Sequence, residues 1–352
     1  MLDATNPSPI PSKRKKHFEH LRQTTIPRFL FRAFHLESSG GRPKALSNPN
    51  ITVPHAYTAS APVPGFYKTP ERDLGRMANA HYVGRHVPLS PFSSWAASLH
   101  LVLCYASSLD DVAYVAVMDT QMLDGEVLVW HVPHLMSGAK HEYLAHGVIK
   151  GSGYVAVPLQ AMAQTGLLNV FTELARRKLY IEAPPPAFSF GMELRQHMFE
   201  QKYGRPAAEI LHKTRVISDL FGELWFPVAT ALLCVRPWPW FWPDVDQGRS
   251  APARRELQRI LRSMKITAKP AWLESQLSWL QHGAVQTTPG AGDSYDFPDV
   301  REWIDLLHAI ARHFESEETK KRKPEDSTVA AGDERETRSK RRATESNKVG
   351  SL

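Results

Sequence analysis

Three polar side chains stand in settings where a protein can use them for chemistry. Arg32 interrupts the apolar run Phe29–Phe34, and a charge in such a run must be paired or directed at an anion. Ser94 lies in Ser90–Ala96, directly before an apolar helical pattern, and Glu142 begins a further apolar run. A guanidinium is suited to bind an anion, and a carboxylate is suited to stabilise positive charge.

Each of the three also has an ordinary structural explanation. Arg32 could form an internal salt bridge, Ser94 could cap the following helix, and Glu142 could be a solvated carboxylate at a strand start. Taken one at a time, each residue favours that explanation, so their order and context must make the case for a site.

The elements that would position these residues follow from hydrophobic periodicity. Before the three prolines at 184–186, short apolar runs alternate with turn residues, which is typical of strands. The predicted strands are Phe29–Phe34, Val112–Met118, Glu126–Val132, Tyr143–Ile149 and Tyr154–Val157, and the predicted helices are Trp95–Ser107 and Leu159–Tyr180. After the prolines the pattern predicts helices over 208–234, 251–264, 270–282 and 298–314.

We therefore predict an α+β fold in two parts. A mixed-sheet α+β domain covers residues 27–182, and a mostly helical domain of unknown role covers residues 187–315. Residues 1–26 and 316–352 are rich in charged or turn-forming residues and poor in large apolar groups. Such composition predicts disordered basic or charged tails.

Composition narrows the function classes. The formal net charge of +7 comes substantially from the chain ends, so nucleic acid is an unlikely partner for the core, although the basic tails could bind it. Two cysteines cannot supply a disulfide framework, and no secretory signal or membrane span is predicted. The chain is therefore expected to be intracellular. Lys/Arg clusters at 13–16, 320–323 and 338–342 predict a nuclear or nucleocytoplasmic location.

Several common motifs are absent from the sequence. No Gly-x-Gly-x-x-Gly opens a helix after a strand, and neither a phosphate-binding P-loop nor a Gly-x-Ser-x-Gly nucleophile elbow occurs. His141 and His146 are one position too far apart for a helical zinc motif, so no metal site is predicted.

An Arg on the first strand, a Ser before a helix and a Glu on a later strand resemble the Arg–Ser–Glu pattern of toxin-like ADP-ribosyltransferases. Leu30-Phe31-Arg32-Ala33 is similar to that family's opening strand, and Phe92-Ser93-Ser94-Trp95 is similar to its Ser-Thr-Ser element. Val112–Met118 resembles the strand that follows, and Glu142 falls at the catalytic glutamate. The same stretch, about residues 30–160, also resembles a domain of uncharacterised fungal proteins.

The resemblance implies an enzyme that uses NAD as a substrate and breaks the bond between nicotinamide and ribose. Because the transition state is oxocarbenium-like, Glu142 would be the catalytic residue that stabilises positive charge. Ser94 would hold the ribose or the Glu142 carboxylate in position, with Ser93 as the alternative for this role. Arg32 would bind a phosphate or ribose oxygen, and Trp95 could reshape the nicotinamide side of the pocket.

Two departures from the family pattern bear on function. Arginine-modifying members carry Glu or Gln two residues before the catalytic Glu, where this chain has Lys140, and only the first Ser of the Ser-Thr-Ser element is kept. The acceptor of ADP-ribose, which could be a protein or water, is therefore left open. An alternative is a non-catalytic binding or scaffold protein with a degenerate nucleotide site, which recruits partners through Arg236–Pro243 and the basic tails. A third hypothesis is a nuclear factor that binds nucleic acid through those tails.

Overall fold

The computed structural model describes most of the chain, and every statement below concerns the described residues. They are 1–35, 47–59, 62–83, 90–109, 113–137, 142–179, 187–200, 205–237, 251–273 and 297–322. One compact unit runs from Met1 to Ile310, and a second begins at Ala311.

An antiparallel sheet of six strands carries the candidate residues. The strands of the chain are β1 (Phe29–His35), β2 (Ile51–Thr52), β3 (Phe92–Ala96), β4 (Ala113–Asp119), β5 (Leu128–His131), β6 (Glu142–His146), β7 (Ile149–Lys150) and β8 (Tyr154–Pro158). The large sheet has the order β5-β6-β3-β1-β4-β8, and β2 pairs with β7 in a separate small sheet. Arg32, Ser94 and Glu142 therefore lie on three neighbouring strands, β1, β3 and β6.

Helices account for most of the remaining described structure, so the chain is mixed α/β. They are α1 (Ser12–Thr25), α2 (Glu71–Tyr82), α3 (Leu99–Leu109), α4 (Val132–Leu135), α5 (Leu159–Gln164), α6 (Leu167–Val170), α7 (Ala187–Glu200), α8 (Ala208–Asp219), α9 (Trp225–Leu233), α10 (Ala251–Ser263) and α11 (Pro298–Arg322). Short 3-10 helices cover His55–Thr58, Phe66–Lys68, Thr172–Leu179 and Gly222–Leu224.

β1 is an interior strand because its apolar residues are buried on both faces. Phe29, Leu30 and Phe31 are all buried. β1 pairs with β4 along its whole length, whereas it pairs with β3 only where Phe31 lies opposite Ala96. The ladder between β1 and β3 is therefore short. Arg32, the residue after Phe31, lies just beyond it.

The predicted strands are present, with their ends shifted by a few residues. The largest difference is in Tyr143–Ile149, which was predicted as one strand. Gly147 has φ of +117°, a conformation that glycine adopts without strain, and it separates β6 from β7. Glycine also divides the predicted helices Leu159–Tyr180 and 208–234, at Gly166 and Gly222, both of which have positive φ.

The segment around Ser94 differs from the prediction of a helix over Trp95–Ser107. Ser94 lies within strand β3, and α3 begins only at Leu99. The backbone N–H of Leu101 donates to Ser98 Oγ at 2.9 Å, so Ser98 is the residue that caps the helix. The hydroxyl of Ser94 is consequently not used by a helix terminus.

The N-terminal segment, predicted to be a disordered tail over residues 1–26, contains the helix α1. Phe18 on this helix is buried and meets Trp130 of β5 edge-on, with 5.5 Å between the ring centroids. Average composition misjudged the segment because a few well-placed apolar side chains, here Ile10 and Phe18, are enough to dock a short helix onto an existing sheet.

Glu71 attaches this N-terminal segment to the rest of the fold. The side chain of Glu71 is fully buried and accepts hydrogen bonds from the Asp3 N–H at 2.7 Å and the Asn6 amide at 2.9 Å. Arg14 of α1 donates to the same carboxylate at 2.7 Å. A buried carboxylate with this many donors is stable only while the donors are present.

Two tryptophans from the C-terminal part of the chain pack against β1. Phe29 meets the ring of Trp272 with centroids 4.7 Å apart, and Phe31 meets Trp303 of α11 with centroids 5.8 Å apart. These contacts place the α+β and helical parts in the same compact unit, which ends at Ile310. Residues of the helical part also share a core cluster with the sheet, since Val300 and Ile304 pack with Leu30 and Phe34.

Some predictions fall outside the described residues. They concern Lys140, His141, the Trp/Pro segment from residue 238 onward, the predicted helix 270–282 from residue 274 onward, and the tail beyond residue 322. In the described part, Cys104 and Cys234 are buried free thiols, as their apolar settings predict. The described helices include none that combines the length and apolarity needed to cross a membrane.

We predict that Glu71→Ala will lower the free energy of unfolding by about 3 kcal/mol, because it leaves buried donors and the Arg14 charge unpaired. Denaturant unfolding measures this change, and limited proteolysis should show earlier cleavage within the first 26 residues. The matched control is Glu223→Ala, since Glu223 is exposed. Equal effects of the two substitutions would contradict the anchoring role of Glu71.

Candidate functional site

Ser94 and Glu142 are neighbouring polar residues on adjacent strands, hereafter the serine–glutamate pair. In the ladder between β3 and β6, Ser94 lies opposite Leu144 and Ala96 lies opposite Glu142. Because alternate residues of a strand share a face, the two polar side chains are diagonal neighbours on one face of the sheet. The Ser94 hydroxyl is near enough to the Glu142 carboxylate to lower its pKa.

The environment of Glu142 favours its neutral form more than water does. Burial raises the pKa of Glu142 to about 7, and the hydrogen bond from Ser94 acts in the opposite direction. Near neutral pH the carboxyl group is therefore divided between its protonated and ionised forms. A carboxyl poised in this way, in a half-buried position, is typical of groups that take part in chemistry.

His81 contacts the serine–glutamate pair from helix α2. Its Nε2 lies 3.1 Å from Ser94 Oγ, and its Nδ1 lies 2.9 Å from Ser90 Oγ. Burial first and the charge of Arg32 second lower the pKa of His81 to about 4. The imidazole is therefore neutral at physiological pH.

Arg32 lies on β1 with an unused donor. Its guanidinium carbon is 5.5 Å from the centroid of the Phe34 ring, and its Nη1 is buried with no hydrogen-bond partner among the described residues. Burial lowers the pKa of Arg32, while Tyr154 and Tyr105 act against this change, and a guanidinium remains charged in proteins. The internal salt bridge considered from the sequence is thus not found in the described structure.

The register assigns Arg32 and the serine–glutamate pair to different faces of the sheet. Leu30, Arg32 and Phe34 lie on one face, because side chains alternate along β1. The pairing of β1 with β3 and of β3 with β6 puts Ser94 and Glu142 on the other face.

The charge of Arg32 nevertheless affects a group on the other face of the sheet. The positive charge of Arg32 is a cause of the lowered pKa of His81, which contacts Ser94 directly. Arg32 is not among the causes that shift the pKa of Glu142. The structure thus brings Ser94 and Glu142 into contact and leaves Arg32 within electrostatic reach of their neighbour His81.

Ser93 and Trp95, the other two candidates on β3, point away from the pair. Trp95 is only 2% exposed, and its Nε1 donates to Ser93 Oγ at 2.9 Å. The Trp95 ring also meets Tyr154 edge-on, with centroids 6.2 Å apart. These two residues therefore belong to the core on the Arg32 side, and Ser94 is the serine that Glu142 contacts.

His81 and Ser90 are site residues that the sequence interpretation did not single out. A signal for His81 was present, because Leu74, Ala78 and His81 recur at spacings of four and three, which places them on one face of a helix. Leu74 and Ala78 are fully buried, so this face is directed into the protein and carries His81 with it.

Comparison with known proteins adds one match. A family described as a domain of unknown function, DUF7587, matches residues 25–157. No curated protein and no solved structure matches the chain. The matched residues include Arg32, His81, Ser94 and Glu142. Among the described residues, no three His, Cys, Asp or Glu side chains are grouped so that they could hold a metal ion.

Proposed function

We propose that the DUF7587 domain has an ADP-ribosyltransferase-like fold and cleaves NAD between nicotinamide and ribose, with Glu142 as the catalytic residue. The observation that carries the proposal is the contact between Ser94 and Glu142 on neighbouring strands, which pairs a hydroxyl with a carboxyl whose pKa is about 7. The resemblance of the sequence to the Arg–Ser–Glu pattern assigns this pair to the nicotinamide ribose.

The chemistry accounts for the residue types. When the bond between ribose C1′ and the nicotinamide nitrogen breaks, its electron pair leaves with the nitrogen, and positive charge develops on the ribose. The ionised carboxylate of Glu142 accepts hydrogen bonds from the ribose and stabilises that charge. An acceptor group then attacks C1′ and loses its proton, which completes the transfer of ADP-ribose.

The setting of Ser94 supports a positioning role. A hydroxyl that donates to one carboxylate oxygen leaves the remaining lone pairs of Glu142 for the substrate. Because both residues are on strands that are paired side by side, their separation is set by the sheet rather than by a loop.

Arg32 supplies the anion-binding part of the proposal. The unused Nη1 of a charged, buried guanidinium is suited to an oxygen of the NAD pyrophosphate.

A second candidate is a protein that binds a nucleotide without cleaving it and acts as a scaffold. The observation that favours it is the register, which assigns Arg32 and Glu142 to opposite faces of the sheet. In this case Arg32 would hold a phosphate while Glu142 stays remote from the glycosidic bond.

We predict that the purified protein releases nicotinamide from NAD and that Glu142→Gln lowers the rate about 100-fold or more, since the isosteric amide cannot balance the developing charge. Chromatography of nicotinamide measures the rate, and circular dichroism checks folding. The control is Glu126→Gln, because Glu126 is exposed and precedes β5. Calorimetry should detect NAD binding by both variants. Binding without release in the wild type would favour the scaffold, and absence of binding would refute both candidates.

The rate of nicotinamide release should rise with pH and reach half of its maximum near pH 7. The active form is the ionised carboxylate, and burial raises the pKa of Glu142 to about 7. An ordinary glutamate, with a pKa of 4.5, would give a flat rate above about pH 6. A flat profile in single-turnover measurements between pH 5 and 9 would therefore contradict the assignment of Glu142.

We further propose that the basic clusters at 320–323 and 338–342 form a two-part nuclear import signal. The third cluster, 13–16, is partly engaged in the fold, because Arg14 binds Glu71. A fluorescent fusion of the full chain should be nuclear, and replacement of the basic residues at 338–342 by Ala should disperse it. Nuclear retention of that variant would contradict the signal.

A further inference from the structure

A series of polar contacts, hereafter the hydrogen-bond chain, leads from the backbone of β3 towards Glu142. The Phe92 N–H donates to Ser90 Oγ at 3.3 Å, and Ser90 Oγ lies 2.9 Å from His81 Nδ1. His81 Nε2 lies 3.1 Å from Ser94 Oγ, and Glu142 is the diagonal neighbour of Ser94 on the adjacent strand.

The hydrogens of this chain can be assigned in one direction. An ionised carboxylate only accepts hydrogen bonds, and Ser94 lowers the pKa of its neighbour Glu142, so the single hydrogen of Ser94 is directed at the carboxylate. Ser94 Oγ must then accept a hydrogen from His81, which requires the tautomer that carries its hydrogen on Nε2.

The other half of the chain agrees with that tautomer. A neutral imidazole with its hydrogen on Nε2 has a lone pair on Nδ1, and this lone pair accepts the hydroxyl hydrogen of Ser90. Ser90 in turn accepts from the Phe92 N–H, which is a donor only. Every donor in the chain is therefore used once, and its last acceptor is Glu142.

The fold holds His81 at this position from several sides. The residues one and two helical turns before it, Ala78 and Leu74, are fully buried in the core cluster that also contains Phe92. The His81 ring meets the Phe92 ring with centroids 6.4 Å apart. The imidazole is thus packed against β3 as well as hydrogen-bonded to it.

We propose that His81 is a positioning residue for Glu142, because its Nε2–H directs the Ser94 hydroxyl onto the carboxylate and so keeps the other carboxylate lone pairs available to the substrate. This inference rests on the proposed function for its catalytic consequence. Its structural part, the control of Glu142 through Ser94, can be measured without substrate.

Two ionisable groups next to the hydrogen-bond chain, Arg32 and His146, bear on its titration. Arg32 approaches from β1 and helps to keep His81 neutral. Glu142 and His146 lie on the same face of β6, and burial lowers the pKa of His146 to about 4. Between pH 5 and 9, Glu142 is consequently the group of the chain whose protonation changes.

The test is the titration of Glu142, followed by carboxyl carbon NMR in the free protein. His81→Ala should raise the pKa of Glu142 by about one unit, because Ser94 is no longer held in its donating orientation. Ser94→Ala should give a similar rise, and the double variant should add nothing to it, since both changes break the same connection. His81→Gln, which keeps an N–H donor, should restore the wild-type value.

Controls separate positioning from folding. His134→Ala removes another half-buried imidazole with a pKa of about 4. His134 is not part of the hydrogen-bond chain, so this change should leave the titration of Glu142 unchanged. Should His81→Ala unfold, Ser90→Ala offers a milder change, since it frees the tautomer and should raise the pKa of Glu142 by a smaller amount. An unchanged Glu142 titration in folded His81→Ala or Ser90→Ala would overturn the inference.

The catalytic consequence has its own readout. In the pH profile of nicotinamide release, His81→Ala should shift the midpoint upward by the same amount as the NMR titration, and His81→Gln should reverse the shift. If the wild type releases no nicotinamide while the NMR shift is present, the proposed function fails and the hydrogen-bond chain stands. Release by the wild type with no change in either titration refutes the role of His81 alone.

Discussion

The register of β3 is the constraint on which the rest of the site depends. Its alternate residues do different work, since Ser93 and Trp95 face the core on one side while Ser94 faces Glu142 on the other. A slip of one residue would exchange these sets, placing an indole beside the carboxyl and burying Ser94 in the core. Pairing with β6 over five positions, against one with β1, makes β6 the partner that fixes this register.

Burial then requires that each polar group of the site has a hydrogen-bond partner or strong packing around it. On the Glu142 side, the hydroxyls of Ser90 and Ser94 and both nitrogens of His81 have partners, which is the condition under which buried polar groups are stable. On the Arg32 side, the Nη1 donor has none among the described residues. An unsatisfied charge persists in a fold when the packing around it is strong or when a ligand completes it. The fully buried neighbours of Arg32 along the strand, Leu30 and Phe34, supply that packing.

The sequence allowed the strands to be predicted because their apolar runs are local signals, and it singled out Arg32, Ser94 and Glu142 for the same reason. It did not settle which serine caps α3, because both Ser94 and Ser98 precede the helix and only the structure shows that Ser98 is the cap. The helix α1 and the contact of His81 were missed because both depend on residues far away in sequence. Docking of α1 depends on Trp130, and the setting of His81 depends on contacts with Ser90 and Ser94, which lie outside its own helix.

The charges of the site are also arranged so that their states differ. Arg32 stays protonated, His81 is held neutral by burial and by the charge of Arg32, and Glu142 is divided between two forms near pH 7. Were His81 charged instead, both of its nitrogens would donate, and Ser90 would have to accept from His81 as well as from Phe92. The positive charge on β1 therefore supports the single direction of hydrogen bonds on the other side of the sheet. In this way Arg32 contributes to the state of the Ser94 hydroxyl without touching it.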